Sequence, residues 1–286
     1  MNTYGAIVRT ASFCSFAVAA LGALALGCSQ ADARDEGPGE SVTDTNEVAL
    51  SYEEFKATHF FRDPTDPNVL LLHGDVAVDI DSDVMRALYE DELGGQRLIV
   101  NRVSGRDDKW STSAAQNLRY CVSNNFGNRK ASVVSAMAAA ATAWEQVANI
   151  NFVYVSAQDS NCTASNTNVT FDVRQGELGS GALARAFFPS NRRSSRNVIV
   201  DTDSFGNVAP FTLTGILVHE LGHTLGFRHE HTRPQAGTSC FENNAWRALT
   251  AYDSRSVMHY PQCNGTNSGD LRITTLDAQG AAVLYP

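Results

Sequence analysis

The sequence predicts an α+β fold, and three features of its pattern carry that expectation. Between Leu118 and Asp201, short apolar runs of strand character alternate with one long helical stripe. Thr212 to Gly226 then reads as a second helix with a strongly apolar face. After Gly226 the periodic pattern thins out until a closing helix at Thr274–Leu284, so this last part is expected to be largely irregular. At 286 residues, 43% of them hydrophobic, the chain is long enough to bury a sizeable core.

Taken in order, Ser51 can cap a helix with Glu54 three residues on. Asn68–Asp79 (NVLLLHGDVAVD) reads as two short strands about the turn His73-Gly74-Asp75. Ser82–Leu93 reads as a helix ended by Gly94-Gly95, and Arg97–Val103 as a strand. A piece of about 55 residues folds poorly alone, so this first third needs a partner surface, and the main domain is the obvious one. Leu118–Ser123 is a strand. Lys130–Val147 is a helix with Val133, Met137, Ala141, Trp144 and Ala148 on one stripe. Ile150–Val155, Val169–Val173, Ala182–Pro189 and Asn197–Asp201 are further strands, Pro189 being tolerable at an edge or an end. Thr212 or Thr214 can cap the central helix. Ile216, Leu217, Leu221 and Leu225 supply its buried face, and Gly226 suits a helix end. Thr274 with Asp277 forms a capping pair for the last helix.

Charge divides the chain. Ser29–Val103 holds 17 acidic and 6 basic residues, whereas Arg106 onward holds 14 and 15. The near-neutral remainder argues against a nucleic-acid partner. The acidic first third reads as a separate functional piece. Residues 1–28 carry one basic residue, Arg9, and an apolar run of small residues that fits a secretory signal. The run ends in Leu24-Ala25-Leu26-Gly27-Cys28, which resembles a bacterial lipoprotein box with Cys28 as the lipidated residue; the alternative is cleavage after Ala25. With Cys14 removed and Cys28 capped, four cysteines remain, and proximity pairs them as Cys121–Cys162 and Cys240–Cys263. Cleavage after Ala25 would leave Cys28 an odd thiol. Residues 29–49, rich in Asp, Glu, Gly, Ser and Thr, read as a flexible linker.

The chemistry concentrates in His219–His231, HELGHTLGFRHEH. His219 and His223, four apart on a helix, face the same way and can share one ion. Gly226 lets the chain reverse so that His229 returns as a third ligand. Three neutral imidazoles leave zinc an open position, the mark of a catalytic site. Glu220 cannot easily bind the same ion but can reach a water there, which zinc acidifies toward a pKa of about 7. Glu220 is then the general base that activates the water and passes the proton to the leaving amine. HExxH alone arises by chance on amphipathic helices, whereas the full HExxHxxGxxH is far more restrictive.

HELGHTLGFRHEHTR, with Ser256-Val257-Met258-His259-Tyr260 farther on, resembles the metzincin zinc metallopeptidases, and among them the astacins. That resemblance, over most of Trp110–Pro286, implies a mixed, mostly parallel sheet with an antiparallel edge strand, an active-site helix and an irregular C-terminal subdomain. It implies Zn(2+) held by His219, His223 and His229, with Met258 packed beneath. Tyr260 is implied as a further zinc ligand that swings to stabilise the oxyanion. Glu230 is the residue that anchors the mature N-terminus in astacins, though Pro234 after Arg233 departs from their acidic continuation. His231 and His259 are not expected to bind metal. Leu183–Pro189 (LARAFFP) is similar to the matrixin edge strand, which binds substrate by β-augmentation. Arg185 stands where matrixins usually have His, so their structural second zinc is not implied.

On the same resemblance, residues 50–105 are a propeptide and 106–286 the catalytic domain. Gly74-Asp75 is similar to the Gly-Asp of astacin prosegments, in which Asp ligates zinc in the latent form; the plain alternative is a hairpin turn. Cleavage is expected between Asn101 and Thr112, with Arg102, Arg106 and Lys109 as candidates. The implied protein is a secreted zinc endopeptidase acting on protein or peptide substrates, with its own propeptide as intramolecular inhibitor and membrane contact only through the N-terminal lipid. The competing reading is a catalytically silent zinc-binding surface protein of the same fold, against which the intact Glu220 argues.

Overall fold

The computed structural model describes residues 52–72, 74–79, 99–179, 181–237 and 240–286. The signal, the lipoprotein box, the linker and the helix expected at Ser82–Leu93 lie outside them. The described residues all fall within one compact unit. No helix among the described residues is long and apolar enough to cross a membrane.

β6 (Leu118–Val122) lies parallel to β7 (Phe152–Tyr154) and to β8 (Phe171–Gln175), and β8 lies parallel to β10 (Asn197–Val200). β9 (Ala184–Phe187) runs antiparallel on β10. Residues 118–200 therefore carry the expected mostly parallel sheet with one antiparallel strand. β7 and β9 are shorter than their apolar runs, and β8 begins two residues later than the run at Val169, because side-chain pattern marks burial rather than ladder pairing.

β9 is not an edge in this structure. The leading segment opens with helix α1 (Tyr52–His59) and three strands, β1 (Phe60–Arg62), β2 (Val69–Leu72) and β3 (Val76–Asp79). These form an antiparallel meander, with Phe60 opposite Leu72 and Leu72 opposite Val76. β3 then pairs in parallel with β9, Val76 opposite Ala186 and Ala77 opposite Phe187. The sheet order becomes β1-β2-β3-β9-β10-β8-β6-β7. The acidic first third thus uses the main domain as its partner surface, and Phe60, Val76 and Val78 bury against Phe188 and Ala245.

Two long helices supply the rest of the core. α3 (Lys130–Glu145) buries Val133, Met137, Ala141 and Trp144, the stripe anticipated from spacing. It packs against α4 (Leu213–Thr224), whose Ile216, Leu217 and Leu221 are fully buried, and Trp144 Nε1 donates to Val218 O at 2.8 Å. Each such large apolar side chain contributes about 1.5–3 kcal/mol by leaving water. α5 (Thr275–Leu284) starts with the full reciprocal Thr274–Asp277 capping box. After it, the Tyr285 hydroxyl donates to Leu225 O at 2.7 Å and ties the C-terminus to the end of α4. β4 (Val100–Val103) falls within the strand expected at Arg97–Val103 and joins β5 (Arg106–Asp107) and β11 (Trp246–Arg247) in a small ribbon; α2 (Thr112–Ala115), β5 and β11 escape any pattern.

Candidate metal centre

The site is built on α4. Thr212 caps the helix, accepting from Gly215 N at 3.0 Å, and the apolar face fixes the rotation that turns His219 and His223 to one side. A Cβ on Gly222 would stand 2.4 Å from Met258 Sδ and 3.1 Å from Trp144 Cζ2. Glycine there is what allows Met258 to lie directly beneath the helix, as the floor of the site. Gly226 ends the turn at φ +97°, and its Cα faces Asp108 O so closely that a Cβ would sit 2.1 Å away. The chain reverses, Arg228 N bonds Ile99 O at 3.0 Å, and His229 swings back over the helix.

His229 Nε2 lies 3.2 Å from His219 Nε2 and 3.2 Å from His223 Nε2. Ligand atoms about 2.0–2.1 Å from a tetrahedral zinc are separated by about 3.3 Å, so these spacings fit that ion. The opposite ring nitrogens are engaged: His219 Nδ1 faces Val257 O at 2.7 Å and His223 Nδ1 faces Phe227 O at 2.8 Å. A carbonyl only accepts, so Nδ1 carries the proton and Nε2 keeps its lone pair for a metal. Asp75, from the turn before β3, projects into the same cluster. Its Oδ2 is 2.9 Å from His229 Nε2, 3.6 Å from His223 Nε2 and 3.7 Å from His219 Nε2, and it accepts the Tyr260 hydroxyl. Asp75, His219, His223 and His229 are all buried and together form a possible metal-holding group.

The electrostatics follow from burial. Burial holds His219 down to about 4 and pulls His223 down too, which keeps both imidazoles neutral, as a metal requires. Burial acts against the Asp75 carboxylate, yet the His229 charge, with its Nε2 2.9 Å from Oδ2, holds it well below the usual range. Burial, then the Asp75 charge, push Glu220 well above the carboxylate range, and the same two causes raise Tyr260. Neither Glu220 oxygen has a hydrogen-bond partner among the described residues. A fully buried carboxyl without a partner costs stability, and such groups persist where a site uses them.

The structure thus brings together every residue expected at the metal. Both anticipated disulfides are present, Cys121–Cys162 and Cys240–Cys263, with Cα separations of 5.6 and 5.7 Å. His259 turns away, its Nε2 bonded to the Tyr252 hydroxyl at 2.9 Å. His231 stacks on His229 and receives Tyr260 N at 3.3 Å. Glu230 is engaged within the fold, accepting from Arg233 Nη1 at 2.7 Å and from Asp253 N at 2.9 Å. Arg185 is fully buried and pairs with Asp63 of the leading segment. Three participants were not foreseen: Gly222, Asp63, and Glu242, whose carboxylate meets His229 Nδ1. Only Gly222 left a local trace, as the small residue beside the second histidine.

The matrixin family model matches residues 109–260, more than half of the chain. The chain belongs to the matrixin family. It is thereby a member of the metzincin zinc metallopeptidases, as the two motifs implied. This matrixin is also 35% identical over 81 residues to Protein SpAN of Strongylocentrotus purpuratus, and 35% identical over 81 residues to Blastula protease 10 of Paracentrotus lividus. Each match covers 22% of this chain and only 13% and 14% of the respective relative. Among solved structures, myroilysin matches at a TM-score of 0.45 with 21% identity, over 66% of this chain and 98% of that one. High choriolytic enzyme 1, a hatching enzyme zinc-protease from Oryzias latipes, matches at 0.39 with 19% identity, over 62% and 96%.

Proposed function

We propose that this matrixin is an exported zinc-dependent endopeptidase, made as a latent precursor and with astacin-like features at its site. The observation that carries the reading is the convergence of three imidazole Nε2 atoms beside a buried Glu220 whose oxygens have no hydrogen-bond partner among the described residues. The zinc that His219, His223 and His229 would hold supplies acidification of water and polarisation of a carbonyl oxygen. Glu220 takes the proton from the attacking water and delivers it to the leaving amide nitrogen. The Tyr260 hydroxyl, now spent on Asp75, is freed to donate to the developing oxyanion. Tyr260 two residues after Met258 is also what supports the astacin kinship.

Latency has a structural support in the same residues. Ala186 N donates to Asp75 O at 2.6 Å, so the leading segment occupies the β9 backbone while its carboxylate, not a scissile carbonyl, faces the metal ligands. Removing residues 50–105 would open β9 to an extended substrate. The exposed turn at Ser104-Gly105-Arg106 lies between buried Asn101 and Asp108, which favours Arg106 over Arg102 and Lys109 as the processing site. Two disulfides fit an oxidising compartment reached through the residue 1–28 signal, with Cys28 as the lipidated tether.

The test is Glu220→Gln in the processed protein. Zinc stoichiometry should stay at wild type while casein cleavage falls by at least about 10²-fold, the size of a general-base contribution. Equal cleavage by both proteins sinks the mechanism. Zinc binding with no cleavage by either favours a silent zinc-binding surface protein.

A further inference from the structure

The three imidazoles are not held alike. His219 and His223 sit on α4 and give their Nδ1 protons to main-chain carbonyls. His229 lies on the irregular chain beyond Gly226, with extended backbone at φ −65° and ψ 125°, and no helix sets its ring. Its Nδ1 faces Glu242 Oε1 instead. The other oxygen of that carboxylate, Oε2, accepts from Arg228 Nη2 at 2.7 Å. Arg228 Nη1 bonds Asn243 Oδ1, and both Arg228 and Glu242 are buried. His231 closes the group: its Nδ1 receives Tyr260 N, so its other nitrogen, 3.5 Å from Glu242 Oε1, carries the proton. Glu242 stands two residues from Cys240, whose partner Cys263 is three residues past Tyr260, so a disulfide staples this loop to the site.

We propose that Glu242 is the positioning residue of the centre: it fixes the tautomer and ring direction of His229, so that its Nε2 faces the ion. A carboxylate suits the place because it only accepts, and both neighbours, His229 Nδ1–H and Arg228 Nη2–H, only donate. Arg228 keeps the charge paired, so Glu242 remains an acceptor in a dry environment. Outer partners of metal-binding histidines act in this way, and their loss weakens metal affinity by about 10–100-fold. A glutamine of nearly the same shape fails on either side. With its amide NH₂ toward His229 it favours the tautomer that puts a proton on Nε2, and with NH₂ toward Arg228 it sets donor against donor.

This inference rests on the reading that the three imidazoles hold zinc. The experiment uses the full chain, stripped of metal and titrated with zinc against a chromogenic chelator, with thermal unfolding of the metal-free forms alongside. Glu242→Gln should bind zinc about 10–100-fold more weakly than wild type. In Arg228→Met/Glu242→Gln the amide is free to turn its oxygen to His229, and affinity should recover by about tenfold or more. Zinc affinity within about twofold of wild type in Glu242→Gln overturns the proposal. So does a loss that the double variant fails to relieve while its metal-free unfolding matches that of Glu242→Gln, because Glu242 would then act on the fold and not on His229. A wild-type chain that takes up no zinc fails the underlying reading instead.

Discussion

At the residue scale, the site depends on side chains placed against the ordinary preference for solvent. Glu220, His219 and His223 have no exposed surface, and Gly222 is absent of side chain only because Met258 fills that space. Asp108 illustrates the cost of such burial in a place that can be measured apart from the metal. It accepts from Asn101 Nδ2 at 2.9 Å and Ser190 Oγ at 2.7 Å, with Arg196 facing it and the Tyr285 phenol nearby. Burial outweighs these groups and raises its carboxyl from an ordinary 3.8 to about 6. The folded state therefore holds this proton more tightly than the unfolded chain. The stability that the neutral form contributes is complete below about pH 4, falls as pH rises to about 6, and is level above that. Asp108→Asn imitates the neutral form. Its stability relative to wild type should rise by about 3 kcal/mol between about pH 4 and pH 7, at 1.36 kcal/mol for each unit. Urea unfolding of both proteins at the two pH values measures this, and a difference independent of pH would show that Asp108 ionises as freely as in the unfolded chain.

At the scale of elements, β9 receives the leading segment through three separate attachments: the β3 ladder, the apolar group around Phe60 and Phe188, and the Arg185–Asp63 pair. Asp75 adds the contact with the three imidazoles. These roles separate by mutation. Asp75→Ala leaves the attachments in place but opens the position beside the imidazoles, so the unprocessed chain should gain cleavage of a short peptide that does not need β9, while Lys56 and Arg62 stay resistant to trypsin. Asp63→Ala strands a buried guanidinium, which costs about 3–5 kcal/mol, and should make the leading segment trypsin-sensitive. Both variants remaining as latent and as resistant as wild type would remove the inhibitory role. The sequence made some of this legible and not the rest, for a physical reason. His219, His223 and Gly226 act through fixed spacing on one helix, and Asn68–Asp79 through alternation about a Gly turn, so local pattern suffices. Asp63 and Arg185 are 122 positions apart, and Glu242 reaches His229 across an irregular loop. Such contacts depend on which surfaces meet, and no period along the chain encodes them. β1, β5 and β11 span two or three residues each, too short to show a period at all.

At the scale of the whole molecule, the metal cluster gathers parts of the chain that are otherwise held by separate interactions. Asp75 comes from the leading meander, His219 and His223 from α4, His229 from the reversed chain, and Tyr260 from the turn over Met258, which is itself pinned through Ser256 and Val257 N to Asp277 of α5. The disulfides fasten other points: Cys121–Cys162 closes a span of 41 residues at the far side of the sheet, and Cys240–Cys263 one of 23 beside Tyr260. Glu220 lies buried there with neither oxygen partnered among the described residues, which costs stability at the point where these parts meet. Because the unfolded chain lacks the assembled site, zinc binding is coupled to folding. Zinc at about a thousand times its dissociation constant should contribute about 4 kcal/mol. For a chain of this size that raises the melting temperature of the metal-stripped protein by about 8–16 °C. Calorimetry of the full chain with chelator and with zinc measures the shift. With the three imidazoles as the proposed ligands, Glu220→Gln should show it undiminished, whereas His223→Ala should lose most of it. A melting temperature that zinc leaves unchanged in the wild-type chain would mean that the four buried groups do not bind the ion that their geometry fits.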